Sequence, residues 1–408
     1  MRVLVVSPYL PYPPNHGGKI RVFELLRRVA RRHDVTLATL LEAEEEQAHV
    51  RVLEELGLRV LSAYKQPVRN SIAAKAQRFF DPRPRSVSEY DSQELRTLIG
   101  AFVQEYPPDI IQCEQVVVAH YASLYSAIPR LLVEQNIEYQ LLLEIARARP
   151  QMISRLAGRL DAWKARRFEQ HAWKNFTGYA TMSEHDRAVL LRHAPAAQVY
   201  VVPNGVDTDY FRPTNEACEP ETLIITGNFG YYPNLDGITW FLSDILPGIR
   251  AEHPGVELRI VGQGNAALEQ RVGRPDGVIL TGWVEDVRPY VARSVAFVAP
   301  LRIGGGTRLK ILEAMAQGIP VISTGIGCQG LDVVDGEHLL VADTPERFTL
   351  ATSRLLRDST LRQRLKSNAL RLVVERYDWE RIVEKLETVY ADLVAAPTST
   401  PGYMGNDQ

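Results

Sequence analysis

Short apolar runs alternate with helical stretches along most of the chain. Runs at 3–7, 35–39, 59–62, 110–113, 131–134, 178–181 and 199–202 predict buried strands. Amphipathic stretches such as 21–32 and 92–104 separate several of them. The alternation restarts at 223–226 and continues through 258–261, 278–281, 295–299 and 321–323. Strands interleaved with helices predict parallel sheets covered on both faces, and two rounds of the pattern predict an α/β chain of two Rossmann-like domains.

The join is marked by turn formers. Pro203-Asn204-Gly205-Val206-Asp207-Thr208-Asp209 and the Pro213 beyond it break the periodicity, and a polar spacer follows. The expected division is an N-terminal domain over 1–203 and a C-terminal domain over 204–378. An amphipathic helix over 379–396 is expected to pack back toward the first domain, and 397–408 reads as a small, polar, disordered tail.

One segment carries most of the chemistry. After the strand at 295–299 comes Gly304-Gly305-Gly306-Thr307-Arg308-Leu309-Lys310, which opens a short helix closed by Gly318. Thr307 is the expected N-cap. A glycine loop leading into a helix leaves free N–H groups at the positive end of the dipole, a setting that suits a phosphate. Arg308 and Lys310 oppose that dipole unless an anion is bound, which points to a nucleotide. The Gly262-Gln263-Gly264 turn is a second glycine loop at a strand end, so the second half is the expected nucleotide binder.

Composition narrows the classes. A formal charge of −2 over 408 residues supplies no basic footprint, so nucleic acid is not an expected partner. Three scattered cysteines fit neither zinc nor disulfide spacing and suggest a reducing compartment. No apolar run reaches membrane-spanning length and the first one is too short for a signal peptide, so the expected location is cytoplasmic. Asp207-Thr208-Asp209 lies in the linker and reads as turn chemistry, so no metal is expected. The basic stretch 147–174, with Ile153, Leu156, Leu160 and Trp163 on one side, has two readings. It is a solvated helix with a core stripe, or a surface for anionic lipid at the inner face of a membrane. Arg69, Lys75, Arg78, Arg83 and Arg85 around Phe79-Phe80 form a second such patch over 69–85.

With these motifs in view, the chain resembles the retaining glycosyltransferases of the GT-B fold, family 4 type. The resemblance rests on Gly17-Gly18, on Val202 to Asp207, on Leu258 to Gly264, on Thr281-Gly282-Trp283-Val284 and on Leu312 to Ile322. Gly227 to Gly237 resembles a subset found with polysaccharide and lipid-linked sugar assembly. The fold so implied is two Rossmann-like domains facing across a cleft. The implied activity moves a hexosyl group from a nucleotide-diphosphate sugar, a co-substrate, to a saccharide or lipid-linked acceptor, with no cofactor and no metal. The resemblance also implies roles. Glu313 accepts hydrogen bonds from the donor ribose, and Gly306, Thr307 and Arg308 meet the diphosphate through their N–H groups. Val284 meets the nucleobase through its main chain. Gly17 and Gly18 close over the diphosphate and acceptor, and Gly262 belongs to the donor floor.

Four positions depart from the family pattern. Gly305 stands where a glutamate touches the donor sugar, and Asn228 and Asn234 occupy the loop where the family has Arg and Lys. Asn136 replaces a frequent histidine. Arg308 and Lys310 are then the expected catalytic charges on the diphosphate, with Asn136 and Glu138 the expected catalytic groups beyond the strand at 131–134. Glu138 either serves there or caps the following helix. His16 and His120 are the acceptor-side candidates. A nucleotide-sugar epimerase or hydrolase on the same fold, and a non-catalytic partner subunit, are the alternative functions.

Overall fold

A computed structural model describes residues 1–66, 81–148, 151–273, 275–304 and 307–396. The expectations at Gly305 and Gly306, over 69–80 and for the tail 397–408 lie outside these residues. Packing divides the chain into two compact units. One comprises Met1–Leu143, Gln151–Val202 and the chain from Val383; the other comprises 144–148 and Pro203–Ile382.

The first unit is a seven-stranded parallel sheet. Its strands are β1 (Arg2–Ser7), β2 (Asp34–Leu41), β3 (Arg59–Tyr64), β4 (Ile110–Glu114), β5 (Arg130–Glu134), β6 (Gly178–Thr181) and β7 (Val199–Val201). They lie in the order β3-β2-β1-β4-β5-β6-β7. β1 pairs in parallel with β2 on one side and β4 on the other, so the order reverses between β1 and β4. The β1 and β4 strands read as continuous apolar runs because both faces are covered, and Leu4, Val6, Ile111 and Cys113 lie in one buried cluster.

The second unit repeats the scheme with six strands. These are β8 (Thr222–Thr226), β9 (Glu257–Val261), β10 (Val278–Gly282), β11 (Ala296–Ala299), β12 (Val321–Ser323) and β13 (Leu340–Val341). Their order, β10-β9-β8-β11-β12-β13, reverses between β8 and β11. The two-residue β13 is the strand that apolar periodicity does not reveal, being too short to show a period. Leu223, Ile225, Leu258, Ile260, Ala296 and Val298 form the core on one side of this sheet. On the other side Phe297 and Val321 pack with Ile311, Leu312 and Met315 of the helix Leu309–Ala316.

Candidate functional site

In a doubly wound sheet the crevice for a ligand opens beyond the carboxyl ends of the strands where their order reverses. In the second unit that point lies between β8, which ends at Thr226, and β11, which ends at Ala299. The glycine segment follows β11. Its helix, Leu309–Ala316, starts from Arg308 as N-cap with φ −94° and ψ 102°, and no side chain caps it. This corrects the expected Thr307 cap. Thr307 sits one residue too early, and its buried Oγ1 has no hydrogen-bond partner among the described residues. The Thr307 carbonyl instead accepts a bond of 3.1 Å from the Asn204 side chain, so the linker asparagine holds the loop.

Lys310 crosses the reversal point. Its ammonium donates to the Thr226 carbonyl at 2.9 Å and to Asn234 Oδ1 at 3.0 Å. Asn234 in turn donates to the Asn228 carbonyl at 2.9 Å, while Asn228 Oδ1 closes its own turn by accepting from the Gly230 N–H. The two asparagines thus serve as a scaffold for the lysine, which sequence spacing did not reveal. The Arg308 guanidinium lies against Gly304. Burial, helped by the Arg308 charge, lowers the Lys310 pKa from 10.5 to about 8. Burial raises the Glu313 pKa to about 7, with Lys310 pulling the other way. Glu313 keeps part of its surface open although its carboxyl is deeply set. A lysine with three donors has used two on the protein; an anion beside it would relieve the cost of its burial.

The floor beside Lys310 is backbone. The Gly262 N–H donates to the Gly282 carbonyl at 2.9 Å and the Gly227 N–H to the Val261 carbonyl at 3.0 Å, so the ends of β8, β9 and β10 are tied in a row. Gly262 has φ 144°, and a Cβ there would stand 1.8 Å from the Gly227 carbonyl oxygen. Only glycine fits. At the end of β10, Val284 is half-buried beside the exposed Trp283. Asp236 and Arg302 pair bidentately at 2.8 and 3.0 Å next to the same loops.

The remaining candidates belong to the first unit. His16 is the N-cap of the helix Gly17–Val29, its Nδ1 accepting from the Lys19 N–H at 3.3 Å, and burial lowers its pKa. That is a structural use, although the ring also meets Tyr9 edge-on with 5.2 Å between centroids. A Cβ on Gly18 would stand 2.2 Å from the Tyr9 hydroxyl, so the glycine turn rests directly on Tyr9. Gln115, beyond β4, reaches the same hydroxyl at 2.9 Å and Gln135 Oε1 at 3.1 Å, while its backbone holds φ 76°. Sequence reasoning missed both Tyr9 and Gln115, since no motif marks them. His120 faces Asp91 at 3.5 Å, and burial lowers its pKa to about 4.

Beyond β5, Asn136 is half-buried and Glu138 opens the helix Glu138–Ala148. Its capping is done by another residue. Buried Glu169 accepts from the Glu138 and Tyr139 N–H groups at 2.7 and 2.9 Å. Burial, with the Asp161 charge, raises the pKa of the Glu138 carboxyl. Glu134 rises to about 8, chiefly by burial against the Trp173 N–H bond of 2.7 Å.

Two surface readings change. Ile153, Leu156 and Trp163 of the basic stretch form no core stripe; they are exposed, and the helix Met152–Ala172 buries Ala162, Lys164, Ala165, Glu169 and Ala172 instead. Arg83 is paired with Asp81 and Asp91, and Arg85 with Glu89, so the described part of the 69–85 patch is neutralised locally. Asp207 Oδ1 accepts from the Tyr210 N–H at 2.9 Å, a turn as expected. Among the described residues no three His, Cys, Asp or Glu side chains could together hold a metal ion. No described helix is long and apolar enough to cross a membrane.

Known proteins share this architecture. Over 94% of its length and 98% of the relative's, the chain is 23% identical to an uncharacterized 44.6 kDa protein in the cps region of Klebsiella pneumoniae. It is 30% identical to the phosphatidyl-myo-inositol mannosyltransferase of Mycobacterium leprae over 46% of its own length and 52% of that protein's, so the match spans about half of that relative. Among solved structures, the sucrose-phosphate synthase of Thermosynechococcus elongatus superposes with a TM-score of 0.73 at 17% identity, covering 97% of this chain and 100% of that one. HepE of Anabaena, solved with UDP-glucose, gives 0.67 at 15% identity over 96% and 100%. At these identities the structural likeness is one of fold. A Glycosyltransferase Family 4 model matches residues 16–210 and a glycosyl transferases group 1 model matches 220–358. Taken in succession along the two units, these matches make the chain a glycosyltransferase of the GT-B fold, family 4 type.

Proposed function

We propose that the second unit binds a nucleotide-diphosphate sugar at the Gly304–Glu313 segment and that the enzyme transfers its hexosyl group with retention and without a metal. The observation that supports this most is Lys310, a cation with one of its three donors unspent among the described residues, bridging both sides of the strand-order reversal beside a helix start with no side-chain cap. The diphosphate is met by the helix N–H groups, Thr307, Arg308 and Lys310, and the ribose by Glu313. As the sugar leaves, charge grows on the diphosphate where these groups already stand, usually the largest kind of catalytic term. The leaving phosphate takes the acceptor proton, so no separate base is required. Asn136 and Glu138 would line the acceptor side of the first unit. The acceptor is a saccharide or a lipid-linked sugar, in keeping with the named relatives.

Calorimetry with UDP-, GDP- and ADP-sugars, followed by mass analysis of products with and without saccharide acceptors, tests the reading. One donor class should bind, with turnover that depends on an acceptor. No binding by any donor overturns the site, and a changed sugar without an acceptor would make the chain an epimerase or hydrolase.

A further inference from the structure

The helix Met152–Ala172 shows a face that is exposed in the structure. Met152 is 74% exposed, Ile153 83%, Leu156 57% and Trp163 53%, an arrangement that ordinary scattered surface hydrophobics do not produce. At 3.6 residues per turn, Met152, Leu156 and Trp163 fall within a sector of roughly 40°, and Ile153 lies about 60° beyond it on the side away from Arg155 and Arg159. Arg155, Arg159 and Arg166 fall in an adjoining sector of similar width, and Arg167 stands over the Trp163 ring at 5.0 Å. Every exposed charge on the helix proper is an arginine. Of its two acids Glu169 is buried, and Asp161 is half-buried and accepts the Arg85 N–H. The buried residues lie on the opposite side. An apolar stripe flanked by cations, running about 22 Å from Met152 to Arg167, is the layout of a helix that lies in a bilayer interface.

We infer that this face docks on an anionic lipid surface, with Met152, Ile153, Leu156 and Trp163 entering the headgroup boundary and Arg155, Arg159 and Arg166 pairing with lipid phosphates. Charge complementarity selects this occupant over a second copy of the chain, because two such faces would bring like charges together. Tryptophan and arginine are the side chains that suit this boundary, one amphipathic and one able to keep its charge in the headgroups while its stem covers apolar surface. The inference gives a lipid-linked acceptor a place to be met, but its physics does not depend on the transfer reading.

The test is sedimentation of the full chain with vesicles of phosphatidylcholine alone or with phosphatidylglycerol as about a third of the lipid. Binding is expected only to the anionic vesicles and should weaken steeply between about 0.1 and 0.5 M salt. Arg155→Glu with Arg159→Glu should lower the partition at least roughly 30-fold, from about fivefold for each basic residue lost. Ile153→Ser with Trp163→Ser should lower it roughly tenfold or more. All four positions are exposed, so circular dichroism should be unchanged. Absence of binding to anionic vesicles, equal binding by the variants, or a dimer in sedimentation velocity that Trp163→Ser dissociates would each overturn the inference. Donor calorimetry on the same samples reads the nucleotide site separately.

Discussion

Replacing Lys310 by methionine separates a ligand-binding role from a scaffolding one. The wild-type ammonium is held in protein at a cost: the fall of its pKa from 10.5 to about 8 corresponds to about 3 kcal/mol against the charged form. The folded state therefore binds fewer protons than the unfolded one between those values. Stability gained from this group rises with pH across that window, and at pH 7 the whole cost is present. Methionine removes that cost but also removes the bonds to the Thr226 carbonyl and Asn234, worth ~0.5–1.5 kcal/mol each with some penalty for the stranded acceptors. The terms oppose each other, and the folding free energy should move by no more than ~2 kcal/mol. That is a change of at most ~8 °C in the transition of a domain of this size. Donor affinity has no such offset. Losing one charge-assisted contact to a phosphate costs ~1.5–3 kcal/mol, or roughly 10- to 150-fold in Kd. Calorimetry and thermal denaturation on the same preparation read both. A variant that binds donor within twofold of wild type, or one that melts some 15 °C lower, would refute the reasoning.

Three other outcomes follow from the same geometry. Donor affinity should peak between about pH 7 and 8. Below it Glu313 takes up a proton and loses the charge that strengthens its acceptance, and above it Lys310 loses its charge; a titration of Kd from about pH 5.5 to 9.5 that stays flat would remove both roles. Gly262→Ala should destabilise the second unit by ~3 kcal/mol or more, since a Cβ at 1.8 Å from the Gly227 carbonyl oxygen forces the β8 and β9 ends apart; denaturant melts monitored in that unit would show it. Glu169→Ala should cost ~2–4 kcal/mol by stranding the Glu138 and Tyr139 N–H groups, and Glu169→Gln less, because one acceptor oxygen remains; equal losses for the two would mean that the carboxylate does not cap that helix.

Both sheets were legible as apolar runs because their strands are buried on both faces, which makes each run continuous and short. β13 was not, having two residues. The expectation of a phosphate site over 304–310 rests on glycine, charge and a helix start, all local features. What the sequence concealed was pairing over long separations. Nothing near Asn204 says that it holds Thr307, and nothing near Glu169 says that it caps a helix beginning 31 residues earlier. The Thr307 cap failed for a related reason. Capping preference is a weak local term, and here the Asn204 bond and the packing of Leu309 and Ile311 decide where the helix begins. The exposed face of Met152–Ala172 shows the converse. Its periodicity was plain, but periodicity alone does not say whether an apolar stripe faces protein or its surroundings.

In the proposed reading Glu313 holds the ribose of a nucleotide whose diphosphate lies at the start of its helix. A double-mutant cycle tests it directly, pairing Glu313→Gln with a donor that lacks the ribose hydroxyls and measuring all four affinities by calorimetry. Either change alone should weaken binding and the second should add little, a coupling of ~1–3 kcal/mol. Fully additive losses, or an affinity that Glu313→Gln leaves untouched, would contradict it.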